Sequence, residues 1–186
     1  MADFLKVHFY TIDLIIGYGM PVLAFLLSRN PRRTHVWRLF WLGVAIGMCW
    51  EFPIFVLSAP GAESPVLVFQ RGLPVHYAWI LVSHTLWDGG LFLAGVGLVH
   101  LLCRSPVLVK PRLMELCVLV AWGQISAPVV ELGGLYNEAW AYRTDYWWNP
   151  AVFQIGAHDI PLLPQLMWLI TPVLFYFLAI RVSTKG

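Results

Sequence analysis

Apolar residues along this chain gather into five long stretches, divided by clusters of charge or by segments rich in Pro, Gly and aromatic residues. The stretches cover residues 8–28, 37–58, 77–103, 113–138 and 160–180. Each supplies the ~20 mostly apolar residues that a helix needs to cross a bilayer core. They are too long for the strands of an outer-membrane barrel and lack its alternation. The first is too long for a signal-peptide core and has no small-residue cleavage site, so it reads as a helix of the mature protein. No repeat, low-complexity tract or second domain interrupts the pattern. The predicted fold is all-α, a polytopic five-transmembrane-helix bundle forming one domain over residues 1–186.

Composition agrees: 59% of the residues are hydrophobic, 12% are charged, and the mean hydropathy is +0.70. A soluble domain has about 45–50% apolar and ~25% charged residues. Charge then sets a direction. Arg29, Arg32, Arg33 and Arg38 crowd the first connection; Arg104, Lys110 and Arg112 fill the third; Arg181 and Lys185 follow the last run. The second connection holds only Arg71 and the fourth only Arg143, with Lys6 as the exception near the N-terminus. The positive-inside tendency places the N-terminus on the non-cytoplasmic side and the C-terminus in the cytoplasm. Segments 59–76 and 139–159 then share the non-cytoplasmic face, and their aromatic and Pro content suits ordered lids. The endoplasmic reticulum and a bacterial inner membrane both fit this pattern. A net charge of +2 without a basic tract argues against nucleic acid. Cys49, Cys103 and Cys117 have neither the number nor the spacing of a disulfide framework or zinc site.

Polar residues inside the stretches carry the functional signal. Acids at a helix centre cost at least ~2.5–3.5 kcal/mol each, so they face a protein interior or cavity. Asp13, Glu51, Asp88 and Glu131 are such acids, accompanied by His84, Gln124 and Gln165. At 1.5 Å per residue, Asp13, Glu51, Glu131 and Gln165 lie roughly 8–10 Å below the non-cytoplasmic ends of their helices. His84 and Asp88 lie roughly 12 and 18 Å down on the same scale. His100 and Glu115, near the opposite ends, are expected to reach water. Spacing puts His84 with Asp88, Gln165 with Trp168, and Gln124 with Glu131 on shared helix faces. Gly43, Gly47, Gly89 and Gly90 leave room for close helix contact or for a bulky ligand. Any one acid alone fits a helix-anchoring role, Asp13 best of all, but that role leaves their common depth unexplained. A shared polar cavity in one half of the bilayer explains it.

No dinucleotide, P-loop or zinc-protease fingerprint is present, the histidines do not cluster as metal ligands, and no cofactor is expected. The remaining toolkit of carboxyls, one deep imidazole, amides and indoles suits proton transfer to an oily substrate. A desolvated carboxyl holds its proton at higher pH than one in water and can act as an acid. Protonating an alkene gives a carbocation, which Trp faces stabilise. Loss of a different proton completes an isomerisation; internal attack by a second alkene gives a cyclisation.

Three segments carry a resemblance: MCWEFPIF in the second stretch, WGQISAPVVELGGLYNE in the fourth and QLMWLITPVLFYFLAIR in the fifth. Together they resemble the emopamil-binding protein family, the five-helix sterol Δ8–Δ7 isomerases and relatives sharing the EXPERA domain. The resemblance places Glu51 at the family's second-helix acid and Gly123, Gln124 and Ile125 at its G-Q-I. Gln165, Trp168 and Pro172 stand at its fifth-helix amide, tryptophan and proline. Gly47 stands where the family has a histidine, Ile80 where it has a third-helix glutamate, and Pro128 where it has a fourth-helix aspartate. The proton-transfer set is rearranged, which implies a relative acting on another steroid or terpenoid double bond.

On this reading Glu51 donates the proton and Asp88, oriented by His84, removes one, with Glu131 as the alternate base. Trp50 and Trp168 stabilise the cation, Gln124 and Gln165 orient the substrate, and Asp13 completes the binding site. The expected partners are membrane lipids and a hydrophobic sterol or terpenoid substrate reaching the site laterally; helix-face glycines permit a homodimer. One rival is a membrane terpene cyclase, since YWWNPAVFQIGAHDIPLLP resembles the membrane-bound lycopene cyclases. The other is a non-catalytic sterol- or lipid-binding or trafficking protein.

Overall fold

The computed structural model describes residues 2–30, 35–59 and 61–184. Arg32, Arg33 and Lys185 of the charge pattern lie outside the described residues. Five helices form where the apolar stretches predict them: α1 (Ala2–Ser28), α2 (His35–Leu57), α3 (Tyr77–Leu102), α4 (Leu113–Tyr136) and α5 (Leu162–Thr184). All five are long and apolar enough to cross a membrane, so the chain is an integral membrane protein with an all-α, five-helix bundle. Their outward faces stay apolar, as lipid requires: Ile15, Val22 and Phe25 of α1 and Val129 of α4 are all more than half exposed.

Helices α2 and α3 form the tightest pair because glycines face each other across it. A Cβ on Gly43 would stand 3.1 Å from the Gly89 Cα, and one on Gly89 would press into Phe40 and Val44. The glycine pattern therefore serves close helix contact. α5 packs on α2 and α4, α4 also packs on α3, and α1 leans against α2 and α3. Gly123 brings α4 onto the α5 backbone, where a Cβ would meet the Trp168 carbonyl oxygen at 2.5 Å.

The two long connections meet at one end of the bundle. β1 (Leu67–Phe69) pairs antiparallel with β2 (Trp140–Tyr142), with Leu67 opposite Tyr142, Val68 opposite Ala141 and Phe69 opposite Trp140. β3 (Ala151–Ile155) and β4 (His158–Pro161) form a hairpin leading into α5. Strand pairing satisfies the backbone where the two connections meet, so this lid end is built rather than loose. At the opposite end Glu115 corrects an expectation. It is 1% exposed instead of reaching water, and it accepts hydrogen bonds from the Leu108 backbone N–H (3.1 Å) and the Tyr176 hydroxyl (3.1 Å). The 103–112 connection folds back over the carboxylate and shields it. His100 is exposed, as expected.

Candidate functional site

A cavity of about 360 Å³ lies under the lid and draws lining residues from every helix. α1 contributes Asp13, α2 Trp50 and Glu51, α3 His84, Trp87 and Asp88, α4 Glu131, and α5 Trp168. Leu67, Trp140 and Tyr142 close it from the lid. The four intramembrane acids thus converge from four helices on one space, roughly one and a half to three turns from the lid ends of their helices.

The position of α1 is set at Asp13. Its backbone carbonyl oxygen accepts from the Ser83 hydroxyl (3.3 Å) and the Trp87 indole N–H (3.1 Å), both on α3. Gly17, one turn on, has no side chain where the Ser83 hydroxyl sits. This docking turns the Asp13 carboxylate toward His84, with Asp13 Oδ2 3.7 Å from Nε2. The other ring nitrogen, Nδ1, lies 3.6 Å from Glu51 Oε2. Glu51 Oε1 accepts from the Trp50 indole N–H at 3.2 Å. His84 therefore stands between two carboxylates, its ring edge-on to Phe55 (5.4 Å) and Trp140 (5.0 Å).

Its partners differ from the one expected. The i,i+4 spacing paired His84 with Asp88, whereas the ring nitrogens face Asp13 and Glu51. Asp88 instead fills the space left by Gly47 on α2: a Cβ there would stand 2.7 Å from the Asp88 Cβ and 2.9 Å from its Cγ. The Asp88 Oδ2 is buried without a hydrogen-bond partner among the described residues. Such a group is costly unless a ligand or proton satisfies it. Glu131 is buried on α4. Trp50 and Trp168 pack edge to face at 5.9 Å, and Trp168 lies 5.4 Å from Phe92.

Gln124 and Gln165 stand apart from this space. The Gln124 side-chain N–H donates to the Gln165 carbonyl oxygen at 3.0 Å, within the α4–α5 contact, and neither side chain lines the cavity. Gln124 lies two turns below Glu131 on α4, and its amide is taken up by the α5 backbone instead of the cavity.

Trp87, Trp140, Tyr142 and Asn137 line the site without having been singled out from the sequence. Trp140 and Tyr142 lie in the aromatic segment read as a lid, and that composition was their only signal. Burial, with Glu131, Glu51 and Asp88 nearby, holds the Tyr142 phenol well above its ordinary value. Tyr142 therefore faces the carboxyls as a neutral O–H donor. Among the described residues, no group of three or more His, Cys, Asp or Glu side chains is arranged to hold a metal ion.

The lid end also carries a clasp. Lys6 Nζ donates to Glu138 Oε1 (2.6 Å), and Arg71 donates to Glu138 Oε2 (2.8 Å) and to the Lys6 carbonyl oxygen (2.7 Å). These hydrogen bonds pull the Glu138 carboxyl down to about 2. The Tyr10 hydroxyl adds a buried bond to the Ala139 carbonyl oxygen at 2.5 Å. α1, the first lid segment and the end of α4 are thereby tied together at the surface.

Chemically, the arrangement offers buried proton donors and acceptors on several sides of a mostly apolar, indole-walled chamber. Comparison with family models, curated proteins and solved structures gives no significant match, so the chamber's own geometry carries the functional reading.

Proposed function

We propose that this protein is a membrane-embedded isomerase that moves a double bond in a sterol- or terpenoid-like lipid through a carbocation. One observation carries the reading: carboxyls from four helices and indoles from three surround one mostly apolar cavity. A purely structural acid needs one partner, not a common chamber. Glu51, held between the Trp50 indole and His84, protonates the alkene carbon; the π electrons form the new C–H bond and leave a cation on the adjacent carbon. Trp50 and Trp168 present π faces to that charge. Asp88 or Glu131 then removes a proton from a neighbouring carbon, and the freed electron pair forms the shifted double bond. The donor and base recover their starting protonation by exchange with solvent.

The resemblance to the emopamil-binding protein family supports the substrate class, and the α2–α3 contact accounts for the rearranged acids. Where that family has a histidine, Gly47 leaves the volume that the Asp88 carboxylate occupies. A terpene cyclase is the second reading, favoured by the extra indoles Trp87 and Trp140 on the cavity wall, since a migrating cation needs aromatic faces along its path. The positive-inside pattern supports a lid end facing away from the cytoplasm, in the endoplasmic reticulum or a bacterial inner membrane.

Glu51→Gln tests the proposal. It keeps side-chain size and the Trp50 contact while removing the transferable proton. With a panel of sterols and polyprenoid alkenes, the expected result is retained ligand binding with turnover reduced about 10²–10⁴-fold. Equal turnover in the variant, or binding without product in the wild type, would overturn it, the latter in favour of a lipid-binding protein. A changed ring count in the product identifies the cyclase.

A further inference from the structure

We propose that the cavity's lipid passes sideways between α1 and α4, through an aperture whose throat is Gly133. The proposal rests on the reading of the cavity as a lipid site, and it holds for an enzyme and a binder alike. Helices α1 and α4 both line the cavity, yet α1 packs on α2 and α3 and α4 on α3 and α5, with no packed α1–α4 face among the described residues. The seam between them is where the cavity wall meets the outside. Leu5 and Ile16 on α1 and Val130 on α4 are cavity-lining and also 45%, 38% and 39% exposed. A residue with one side on the chamber and another on the surroundings belongs to an opening.

Gly133 lies in this opening. It lines the cavity one turn from Val130 and Asn137, and beyond the backbone of its own helix nothing lies within 4 Å of where its Cβ would stand. Gly43, Gly89 and Gly123 have a neighbouring helix or side chain in that place, and Gly19 and Gly97, which share the free space, do not line the cavity. At Gly133 the absent side chain leaves a gap.

The chemistry of the rim names the occupant. Below, the lips are Ile16 and Val130, facing the hydrocarbon zone of the membrane. Above, the Lys6–Glu138–Arg71 clasp bridges the seam with charge. An amphiphile with a rigid apolar skeleton and one small polar end fits this gradient: the skeleton slides in under the clasp, and the polar end stays at the level of Asn137. The clasp and the buried Tyr10–Ala139 bond tie α1 to the end of α4 near the lid, so the opening lies beneath both, at the level of Ile16 and Val130.

The test uses the full chain in phosphatidylcholine nanodiscs, probed with diazirine-tagged cholesterol and diazirine-tagged geranylgeraniol. Peptide mapping reads the rate of cavity labelling. Gly133→Phe fills the throat and is expected to slow labelling about tenfold or more. Gly97→Phe, at an exposed helical glycine with nothing within 4 Å of its Cβ position, is expected to leave labelling unchanged. A Val68→Cys/Ala141→Cys disulfide, made after Cys49, Cys103 and Cys117 are replaced by Ser, locks the two lid segments at a paired register position. It is expected to leave labelling unchanged as well. Ile16→Trp on the opposite lip repeats the occlusion should Gly133→Phe not fold. Full-rate labelling in the occluded variants, or loss of labelling on locking the lid, overturns the lateral route. Absence of cavity labelling in the wild type overturns the lipid-site reading instead.

Discussion

Replacing Gly47 by Ala adds a single methyl group at the contact that places Asp88. In a helix interior, Gly→Ala alone is stabilising by about 0.5–1 kcal/mol. At Gly47 the new Cβ would lie 2.7 Å from the Asp88 Cβ and 2.9 Å from its Cγ, well inside van der Waals contact. Asp88 has no easy retreat: it is 5% exposed, and its neighbour Gly89 is pressed against Phe40 and Val44. Overpacking of this kind costs about 1–3 kcal/mol. The reference is Gly19→Ala on α1, where nothing lies within 4 Å of the Cβ position and only the helix gain applies. Gly47→Ala should therefore fall ~1–3 kcal/mol below Gly19→Ala in detergent unfolding. Displacing the carboxylate by even 1 Å should also slow turnover on the order of 10²-fold. In an Asp88→Gly background the clash is gone, and the same methyl should recover the helix gain, a coupling that a double-mutant cycle reads directly. Equal stabilisation by Gly47→Ala and Gly19→Ala, with unchanged turnover, would refute the placement of Asp88 beside α2.

Other outcomes follow from the same geometry. Asp13→Asn keeps α1 docked, because docking runs through the Asp13 carbonyl, but removes the carboxylate facing His84 Nε2. Steady-state turnover should fall on the order of 10²-fold with little change in Tm, whereas a large Tm loss without a rate effect would mark Asp13 as purely structural. The Glu138 carboxyl is held at about 2 against an ordinary 4.5, so its ion pairs stabilise the fold above about pH 4.5 and weaken as pH falls toward 2. The difference in Tm between wild type and Glu138→Gln should shrink over that window, and a constant difference would show that the clasp is not formed. Tyr176→Phe removes the hydroxyl bonded to Glu115 and to the Arg112 backbone N–H. It should destabilise by about 1–3 kcal/mol with no effect on turnover, since the cluster lies at the end of the bundle away from the cavity; loss of activity at full stability would contradict this.

The architecture was legible because lipid imposes it: a stretch of apolar residues long enough to span must be helical, and five such stretches give five helices. Depth was legible too, since a fixed rise per residue places Asp13, Glu51 and Glu131 at one level, where the cavity lies. Azimuth was harder. The i,i+4 spacing put His84 and Asp88 on one face, but helix rotation and the neighbour's side-chain size decide which groups meet. Gly47 let Asp88 lean onto α2, while Asp13 took a place at His84. Gln124 shows the limit of shared faces: it is i,i+7 with Glu131 on α4, but its amide turns to the α5 backbone. Glu115 was misread because its cover, a connection folding back over a helix end, leaves no periodic signal. Trp140 and Tyr142 reach the site through a pairing between segments some 70 residues apart, which local pattern does not encode. The opening at Gly133 depends on two helices failing to pack, and nothing in the sequence around that glycine marks it.

In the proposed reaction the converging carboxyls exchange protons with an alkene in the cavity. Mass spectrometry of lipid incubated with the protein in deuterated water tests it most directly. One deuterium per turnover is expected at a carbon of the original double bond, with none in Glu51→Gln. A sterol or polyprenoid that binds in the cavity yet comes back unlabelled, from wild type and variant alike, would contradict it.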